Sequence, residues 1–434
     1  MTHSGYWQTD ISISGNQAIQ RRQLLRLATG LGSASAISFP ALLAQGANKL
    51  QRQGKSCILL WMQGGPSQFE TFSPKPTHSN GGDTKAISTQ APGIQIAENL
   101  PQVSRVMQDI CLIRSMNSKE GSHPRAQSLL HTGYLPTASV QFPTLGSHAA
   151  HQLGDPDDEL PNFVRIGRAG RGGGGDGGGL LGVTYDPFVM SDASRMPENT
   201  TVTTSDRRYR RRLKLRNQLE SQFAKRGARQ EVANQKELYA KSSRMVLSPK
   251  MDAFDISQES KAMQSAYGDT AFGKGCLLAR RLLESGVTFV EVVAGNWDTH
   301  FDNFSRSRTL CQQIDQPYAQ LLQDLKQRGI LEKTLVIWMG EFGRTPRINP
   351  RGGRDHFPRA FNVALSGSGI RGGQVIGRTN EPGTSVSDRP ISVADLFQTF
   401  CQALDIDADH ENLSGIGRPI KIVDGGVAVT EAFS

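Results

Sequence analysis

The sequence predicts an α/β fold in which a mainly parallel sheet carries helices on both faces. Short apolar runs rich in β-branched and aromatic residues alternate with longer segments of helical periodicity, a pattern typical of parallel sheets. Turn signals such as Gly follow the apolar runs. With 434 residues, of which 37% are hydrophobic, the chain has enough apolar material for a large core, which excludes wholesale disorder.

Four buried strands are predicted, at residues 57–62, 110–113, 287–293 and 335–339. Gly64 follows the first of them, and together with the next Gly and Pro it predicts a tight turn. Short, nearly continuous apolar runs of this kind are typical of strands that are covered on both faces.

Two helices are predicted on either side of the third strand. One has a single apolar stripe and ends before Gly286. The other covers about residues 315–328, with Asp315 as its N-cap and Gly329 after its end. In parallel sheets, ligands bind outside the carboxyl ends of the strands, so the loops that follow the predicted strands are the expected location of a site.

The five cysteines are widely spaced and include no C-x-x-C pair. This spacing argues against a cysteine-ligated zinc site and against a thioredoxin-type redox motif. The odd number argues against a disulfide framework. We expect buried, free thiols.

The amino-terminal segment, residues 1–47, is predicted to be a twin-arginine export signal. Arg21 and Arg22 precede Leu24 and Leu25 and a weakly apolar stretch rich in Gly, Ala and Ser. An ordinary surface helix is the alternative. The prediction implies a periplasmic or otherwise extracytoplasmic protein whose residues 48–434 form a single domain. No later segment is apolar enough for a stable membrane span.

Two segments are expected to interrupt the domain. Residues 167–179 contain nine Gly and predict a surface loop, with a phosphate cradle as the alternative. A basic, helix-favouring insertion spans about residues 205–250. Arg207 to Arg244 contains thirteen Lys or Arg and three Glu, so the net charge of +9 arises there. We expect a solvated helical surface, with steering of anionic substrates as the alternative, and no specific nucleic-acid partner.

Residues suited to binding a metal or an anion follow the third and fourth predicted strands. Asp298 and His300 lie two residues apart, and a carboxylate and an imidazole suit zinc or a similar divalent cation. Glu341 is a candidate ligand, a helix cap or an ion-pair partner of Arg344. Arg344 and Arg354 are predicted to bind substrate, because a guanidinium makes bidentate contacts with phosphate or sulfate oxygens.

Two further loops add imidazoles and a hydroxyl. His356 directly follows an Asp and adds a candidate metal ligand. Ser122, His123 and Arg125 lie near a predicted helix start and are the candidate catalytic residues. Ser122 is a candidate nucleophile if a metal lowers its pKa, and an N-cap otherwise.

These motifs resemble one protein family over most of the chain. The motifs are Gly64 to Gln68, His123 to Tyr134, Phe142 to Gly146, Leu160 to Asn162, Trp297 to His300, Gly340 to Pro346, Arg354 to His356, and Gly372 to Thr379. The sequence is similar to the exported family called domain of unknown function 1501, which is placed in the alkaline phosphatase and sulfatase superfamily. The resemblance implies an alkaline-phosphatase-like α/β fold.

The resemblance also implies a metal centre. The superfamily builds two adjacent metal sites at the carboxyl edge of its sheet, and a Ser, Thr or modified Cys attacks phosphorus or sulfur between them. By this resemblance Asp298, His300 and His356 look like one three-ligand site. Glu341 falls where the second site has an Asp, and it either supplies a further ligand or orients one.

The second metal site lacks two residues that the superfamily usually has. Phe342 stands where a His is usual, and Gln63, Gly64 and Gly65 stand where the first strand is usually followed by an Asp. The resemblance therefore implies one divalent cation (zinc, calcium or manganese) rather than two. It leaves the nucleophile open between Ser122 and a metal-activated water, with His123 as a base or a ligand.

The function expected from these observations is that of an exported, metal-dependent hydrolase of phosphate or sulfate esters. Its substrate would be a small anionic ester or a sulfated or phosphorylated polymer. The alternative is a catalytically inactive binding or scaffold protein that retains the superfamily fold, and the missing ligands of the second site favour it.

Overall fold

The computed structural model describes residues 54–433, apart from residues 168–176, 199, 201–203, 225, 226, 228 and 416. The predicted export signal lies outside the described residues, as does most of the Gly-rich segment. No helix in the described part of the chain is long and apolar enough to cross a membrane.

The described residues form sixteen strands. These are β1 (Ser56–Met62), β2 (Ala86–Ser88), β3 (Gln95–Ala97), β4 (Cys111–Met116), β5 (Phe163–Ile166), β6 (Phe188–Met190), β7 (Phe289–Ala294), β8 (Thr334–Met339), β9 (Gly343–Arg344), β10 (His356–Phe357), β11 (Phe361–Ser366), β12 (Gln374–Ile376), β13 (Arg378–Thr379), β14 (Val386–Asp388), β15 (Glu411–Leu413) and β16 (Pro419–Lys421).

Eight of these strands build the central sheet, in the order β12-β4-β11-β8-β1-β7-β5-β6. β7, β1 and β8 are neighbours and run parallel, and β5 and β6 continue parallel to β7. β11 runs antiparallel to both of its neighbours. The carboxyl ends of β7, β1 and β8 therefore meet at one edge of the sheet, in the geometry that favours a ligand site.

The described residues also form eight α-helices. These are α1 (His123–Thr132), α2 (Leu145–Gln152), α3 (Asp206–Ala224), α4 (Arg229–Leu247), α5 (Lys261–Tyr267), α6 (Ala271–Glu284), α7 (Asn303–Gln327) and α8 (Val393–Leu404).

Helices cover both faces of the sheet. Alternate residues of β1 point in opposite directions, so that Ile58 and Leu60 join the core formed with α6 and α7. Leu59 and Trp61 join the core formed with α2 and α8. The predicted fold class, a mainly parallel sheet with helices on both faces, is confirmed. All five cysteines are buried and free, as expected.

Helix α7 begins twelve residues before the predicted start. Asp315 lies buried inside it and accepts hydrogen bonds from the backbone N–H groups of Gln102 and Val103, both at 2.8 Å. Pro317 continues the helix although it lacks an N–H. The Gln313 carbonyl that it leaves free accepts a hydrogen bond from Thr270 Oγ1 at 3.2 Å. Asp315, predicted as an N-cap, thus makes a tertiary contact inside a longer helix.

A buried ionic cluster lies within the sheet. Glu291 of β7 is 1% exposed and accepts hydrogen bonds from Arg165 Nε at 2.9 Å and His131 Nε2 at 3.2 Å. Burial raises the pKa of Glu291, but the positive charges and hydrogen bonds of Arg165 and His131 outweigh burial and lower the pKa from 4.5 to about 2. The ionised carboxylate therefore stabilises the folded state at neutral pH.

We expect the substitution Glu291→Gln to lower the free energy of unfolding by about 3–5 kcal/mol at neutral pH, because it removes one charge of a buried pair. The stabilisation by Glu291 is fully present above pH 4.5 and is lost as the pH falls toward 2, since the pKa of Glu291 is lower in the folded state than in the unfolded state. Urea unfolding at neutral and acidic pH measures both effects, with the exposed Glu411→Gln as control. A deficit of Glu291→Gln that stays constant on acidification would contradict the assignment.

Candidate metal centre

Side chains from four segments meet at the carboxyl edge of the sheet. Asp298 and His300 lie in the loop that follows β7, and His356 begins β10. His123 is the first residue of α1, and Glu341 lies directly after β8. The structure thus brings together residues that are more than two hundred positions apart in the sequence.

Three imidazoles surround the Asp298 carboxylate. His300 Nε2 lies 3.1 Å and His356 Nε2 lies 3.4 Å from Asp298 Oδ1, and His123 Nε2 lies 3.4 Å from Oδ2. Ligand atoms of His123, Asp298 and His356 all lie within 4.8 Å of one another. These three side chains are therefore candidate ligands of one cation, and His300 lies beside them as a fourth candidate. His123, predicted as a catalytic residue, lies among them.

Each imidazole is oriented through its other nitrogen, which faces a hydrogen-bond acceptor. Such partners fix the tautomer and the ring orientation of metal-binding histidines. The three contacts are His123 Nδ1 to Glu341 Oε1 at 2.7 Å, His300 Nδ1 to Asp355 Oδ1 at 2.8 Å, and His356 Nδ1 to the Gly121 carbonyl at 2.8 Å.

The nitrogens at the centre of this cluster fit a cation. His300 Nε2 and His356 Nε2 are 2.9 Å apart. Because acceptors bind both Nδ1 atoms, the neutral rings would direct two lone pairs at each other. His123 Nε2 is buried and makes no hydrogen bond. A divalent ion accepts electron pairs from imidazole and carboxylate, so it would satisfy all of these atoms.

Glu341 lies beside the cluster, as a residue that orients a ligand. Its side chain is fully buried, and both carboxylate oxygens accept the Gly64 N–H, at 2.9 and 3.1 Å. Gln127 Nε2 also lies 3.3 Å from Oε1. Of the two predicted roles, ligand or orienting group, the contacts favour the second, because Glu341 faces Nδ1 of His123 and not its free Nε2.

Gly64 allows the loop after β1 to approach the site. Its φ of +113° lies in the region that favours glycine, and a Cβ at this position would lie 2.5 Å from the backbone nitrogen of Asp298. The tight turn that the sequence predicts here is thus required for the approach of the two loops.

Arg344 is a structural partner of the site and is not exposed to substrate. It is fully buried, and its Nη2 lies 2.6 Å from Asp298 Oδ1. It also donates to the carbonyl of Gly65 at 2.8 Å, to that of Arg354 at 3.2 Å, and to that of Gly64. The predicted role of Arg344 in substrate binding is therefore replaced by one in holding Asp298.

Arg354 is also fully buried, which argues against its predicted contact with substrate. It pairs with Glu70, whose oxygens lie 2.9 and 3.2 Å from its nitrogens. Its remaining donors bind the carbonyls of Thr345, Pro346 and Asn80. Arg354 thus holds the segment before His356 against Glu70 and Asn80. No sequence signal identified Glu70 as its partner.

Ser122 and Arg125 lie at the solvent-facing side of the site. Ser122 is exposed and precedes α1, but its side chain does not cap the helix. Arg125 is half exposed and donates to Glu120 at 2.6 Å. Both neighbours of Ser122 contact the cluster, through the Gly121 carbonyl and the His123 ring.

The charges of the cluster shift two pKa values. Burial raises the pKa of Asp298, but the nearby imidazoles of His123 and His356 and the charge of Arg344 hold it well below its usual range. Burial lowers the pKa of His123, but Asp298 and Glu341 outweigh it and raise the pKa to about 9. His123 therefore holds a proton that a metal ion would displace on binding.

The fold and the site define an α/β protein with a candidate metal centre at the carboxyl edge of a mainly parallel sheet. A family model described as "Protein of unknown function (DUF1501)" matches residues 54–433. The chain belongs to this family, which confirms the family that its motifs resemble. None of the curated proteins compared with the chain matches it.

Several solved structures resemble the chain at low sequence identity. A sulfatase from Pseudoalteromonas sp. is 14% identical, with a TM-score of 0.38 over 89% of this chain and 72% of that one. The phosphonate monoester hydrolase of Agrobacterium radiobacter is 13% identical, with a TM-score of 0.36 over 87% and 77%. A protein of the alkaline phosphatase superfamily from Vibrio parahaemolyticus is 13% identical, with a TM-score of 0.37 over 82% and 67%.

We expect Glu341→Gln to weaken divalent-cation binding about 10- to 100-fold without abolishing it, because the substitution disturbs the orientation of His123 but removes no ligand. Calorimetric titration with Zn²⁺, Mn²⁺ and Ca²⁺ measures the affinity. His356→Ala, which removes a ligand, should abolish binding, and the exposed Glu381→Gln should leave it unchanged. If Glu341→Gln abolished cation binding as His356→Ala is expected to do, Glu341 would be a ligand.

We expect Arg354→Gln to lower the free energy of unfolding by about 3–5 kcal/mol, because it leaves the buried Glu70 carboxylate without its partner. Denaturant unfolding tests this, and Arg351→Gln, an exposed neighbour, should change the value by less than about 0.5 kcal/mol. Unchanged stability together with weaker substrate binding would restore the role of Arg354 as a substrate ligand.

Proposed function

We propose that the protein is a metal-dependent hydrolase of phosphate or sulfate esters. The observation that carries the proposal is the set of three imidazoles around Asp298, each oriented by an acceptor at its Nδ1. This arrangement leaves the Nε2 atoms of His300 and His356 facing each other at 2.9 Å in a partly buried place, and a cation would relieve that contact. The proposed substrate is a small anionic ester or a sulfated or phosphorylated polymer.

Asp298, His123, His300 and His356 would hold the cation, which would act as a Lewis acid toward an ester oxygen. Arg344 keeps Asp298 ionised and fixed, since it donates to the carboxylate and to the backbone of the loop after β1. The Asp298 side chain is 44% exposed, so the cluster is open on the side where a substrate would enter.

Ser122 is the proposed nucleophile, and Arg125 is the proposed anion-binding residue. Ser122 is exposed and lies between two residues that contact the cluster, and its hydroxyl is not used to cap α1. Arg125 is half exposed and lies on the first turn of α1, whose N-terminus favours an anion. With Arg344 and Arg354 buried, Arg125 is the predicted arginine that a substrate can reach.

A catalytically inactive binding or scaffold protein is the second candidate. Phe342 favours it, because its ring is buried and its centroid lies 4.9 Å from that of His123 and 4.5 Å from that of His356. An apolar ring thus occupies the position where the superfamily usually has a second-site His. The chain would then bind one cation without turnover.

Export by the twin-arginine pathway to the periplasm or another extracytoplasmic location is part of the proposal. It is supported by Arg21 and Arg22 and the weakly apolar stretch that follows them. Such export carries folded proteins, so a cation could be bound before translocation.

We expect the purified protein to hydrolyse aryl phosphates or aryl sulfates when a divalent cation is present. His356→Ala should remove the cation and lower the rate at least about a thousandfold, because it removes the Lewis acid. Ser122→Ala should retain the cation and lose most of the rate, because it removes the nucleophile. Turnover and metal content are measured together, with the exposed His410→Ala as control. Stoichiometric cation without turnover of either ester would favour the scaffold candidate.

A further inference from the structure

Helix α3 presents an unusually basic surface. Its nineteen residues include seven Lys or Arg and two acidic residues. One side of the helix packs on α4, through a hydrogen bond between Tyr209 and Ser243 at 3.2 Å and through Arg216, which lies over the Tyr239 ring at 3.5 Å. The opposite side faces solvent.

The exposed bases lack acidic partners within the described residues. Arg216 pairs with Glu220 at 3.1 Å, but five other bases of α3 form no ion pair there. Like charges four residues apart destabilise a helix, so this arrangement is unfavourable without an external anion. The five bases are Arg207, Arg208, Arg211, Arg212 and Lys214.

Two leucines lie on the same side of the helix. At 100° per residue, the five bases occupy an arc of about 160°, and Leu215 and Leu219 fall inside it. Their exposed fractions are 58% and 60%. The arc is therefore basic toward the start of α3 and apolar toward its end, which is an amphipathic surface with no partner in the described chain.

We propose that this face of α3 binds the surface of an anionic lipid bilayer. Lipid phosphates would pair with the five bases, and Leu215 and Leu219 would enter the boundary between headgroups and acyl chains. A soluble polyanion would satisfy the bases but would leave both leucines in water, so a bilayer fits the whole arc better. The protein would attach peripherally, independently of the metal centre and of the proposed hydrolysis.

Co-sedimentation with vesicles tests this proposal. The purified protein should bind vesicles of phosphatidylcholine with phosphatidylglycerol and not vesicles of phosphatidylcholine alone. The double substitution Arg208→Gln/Arg212→Gln should weaken binding about thirtyfold. The double substitution Leu215→Ser/Leu219→Ser should weaken it at least about tenfold, since both apolar side chains are removed.

The control variant is Arg195→Gln/Arg378→Gln, which makes the same charge change at two exposed arginines that pair with Asp192 and Asp388. It should change vesicle binding less than about twofold. All variants should keep the wild-type circular dichroism and the wild-type affinity for divalent cations. A retained cation site shows that any loss of vesicle binding is separate from the metal centre.

Two results would overturn the proposal. The surface binds soluble polyanions if the double leucine substitution leaves vesicle binding unchanged while the double arginine substitution weakens binding to dextran sulfate and to vesicles equally. If neither double substitution changes vesicle binding, the basic face contacts only water and not the bilayer.

Discussion

One buried guanidinium connects the loops of the candidate site. Arg344 lies in the segment after β8 and donates to the carbonyls of Gly64 and Gly65 after β1 and to the Asp298 carboxylate after β7. It also donates to the carbonyl of Arg354, two residues before His356. A buried cation requires a compensating anion and a full set of acceptors, and these acceptors come from the loops after β1 and β7 and from the segment before His356.

The same charges explain why a divalent cation fits. The carboxylates of Asp298, Glu341 and Asp355 lie beside the imidazoles, and Arg344 and the protonated His123 supply two compensating positive charges. When a cation displaces the proton of His123, the cluster carries a net charge of about −2, which a divalent cation neutralises. Arg354 and Glu70 compensate each other and do not alter this balance.

The sequence predicts the location of the site better than the role of each side chain. The apolar strands and the loops after them identify the carboxyl edge of the sheet, and Asp298, His300 and His356 do meet there. The sequence predicts Arg344 and Arg354 as anion ligands because it does not show whether an arginine side chain is buried or exposed. Their burial depends on partners such as Glu70, which are distant in the chain.

The arrangement around Phe342 bears on the number of cations. Its ring packs against the rings of both His123 and His356, and the Gly65 backbone is close enough that a Cβ would lie 2.7 Å from it. Glu341, the adjacent carboxylate, is fully buried and accepts the Gly64 N–H. Under the proposed function, an apolar ring and an internal hydrogen bond thus take the places of ligands for a second ion. In the proposed function, the exposed part of Asp298 is the side on which one bound cation would meet an anionic substrate.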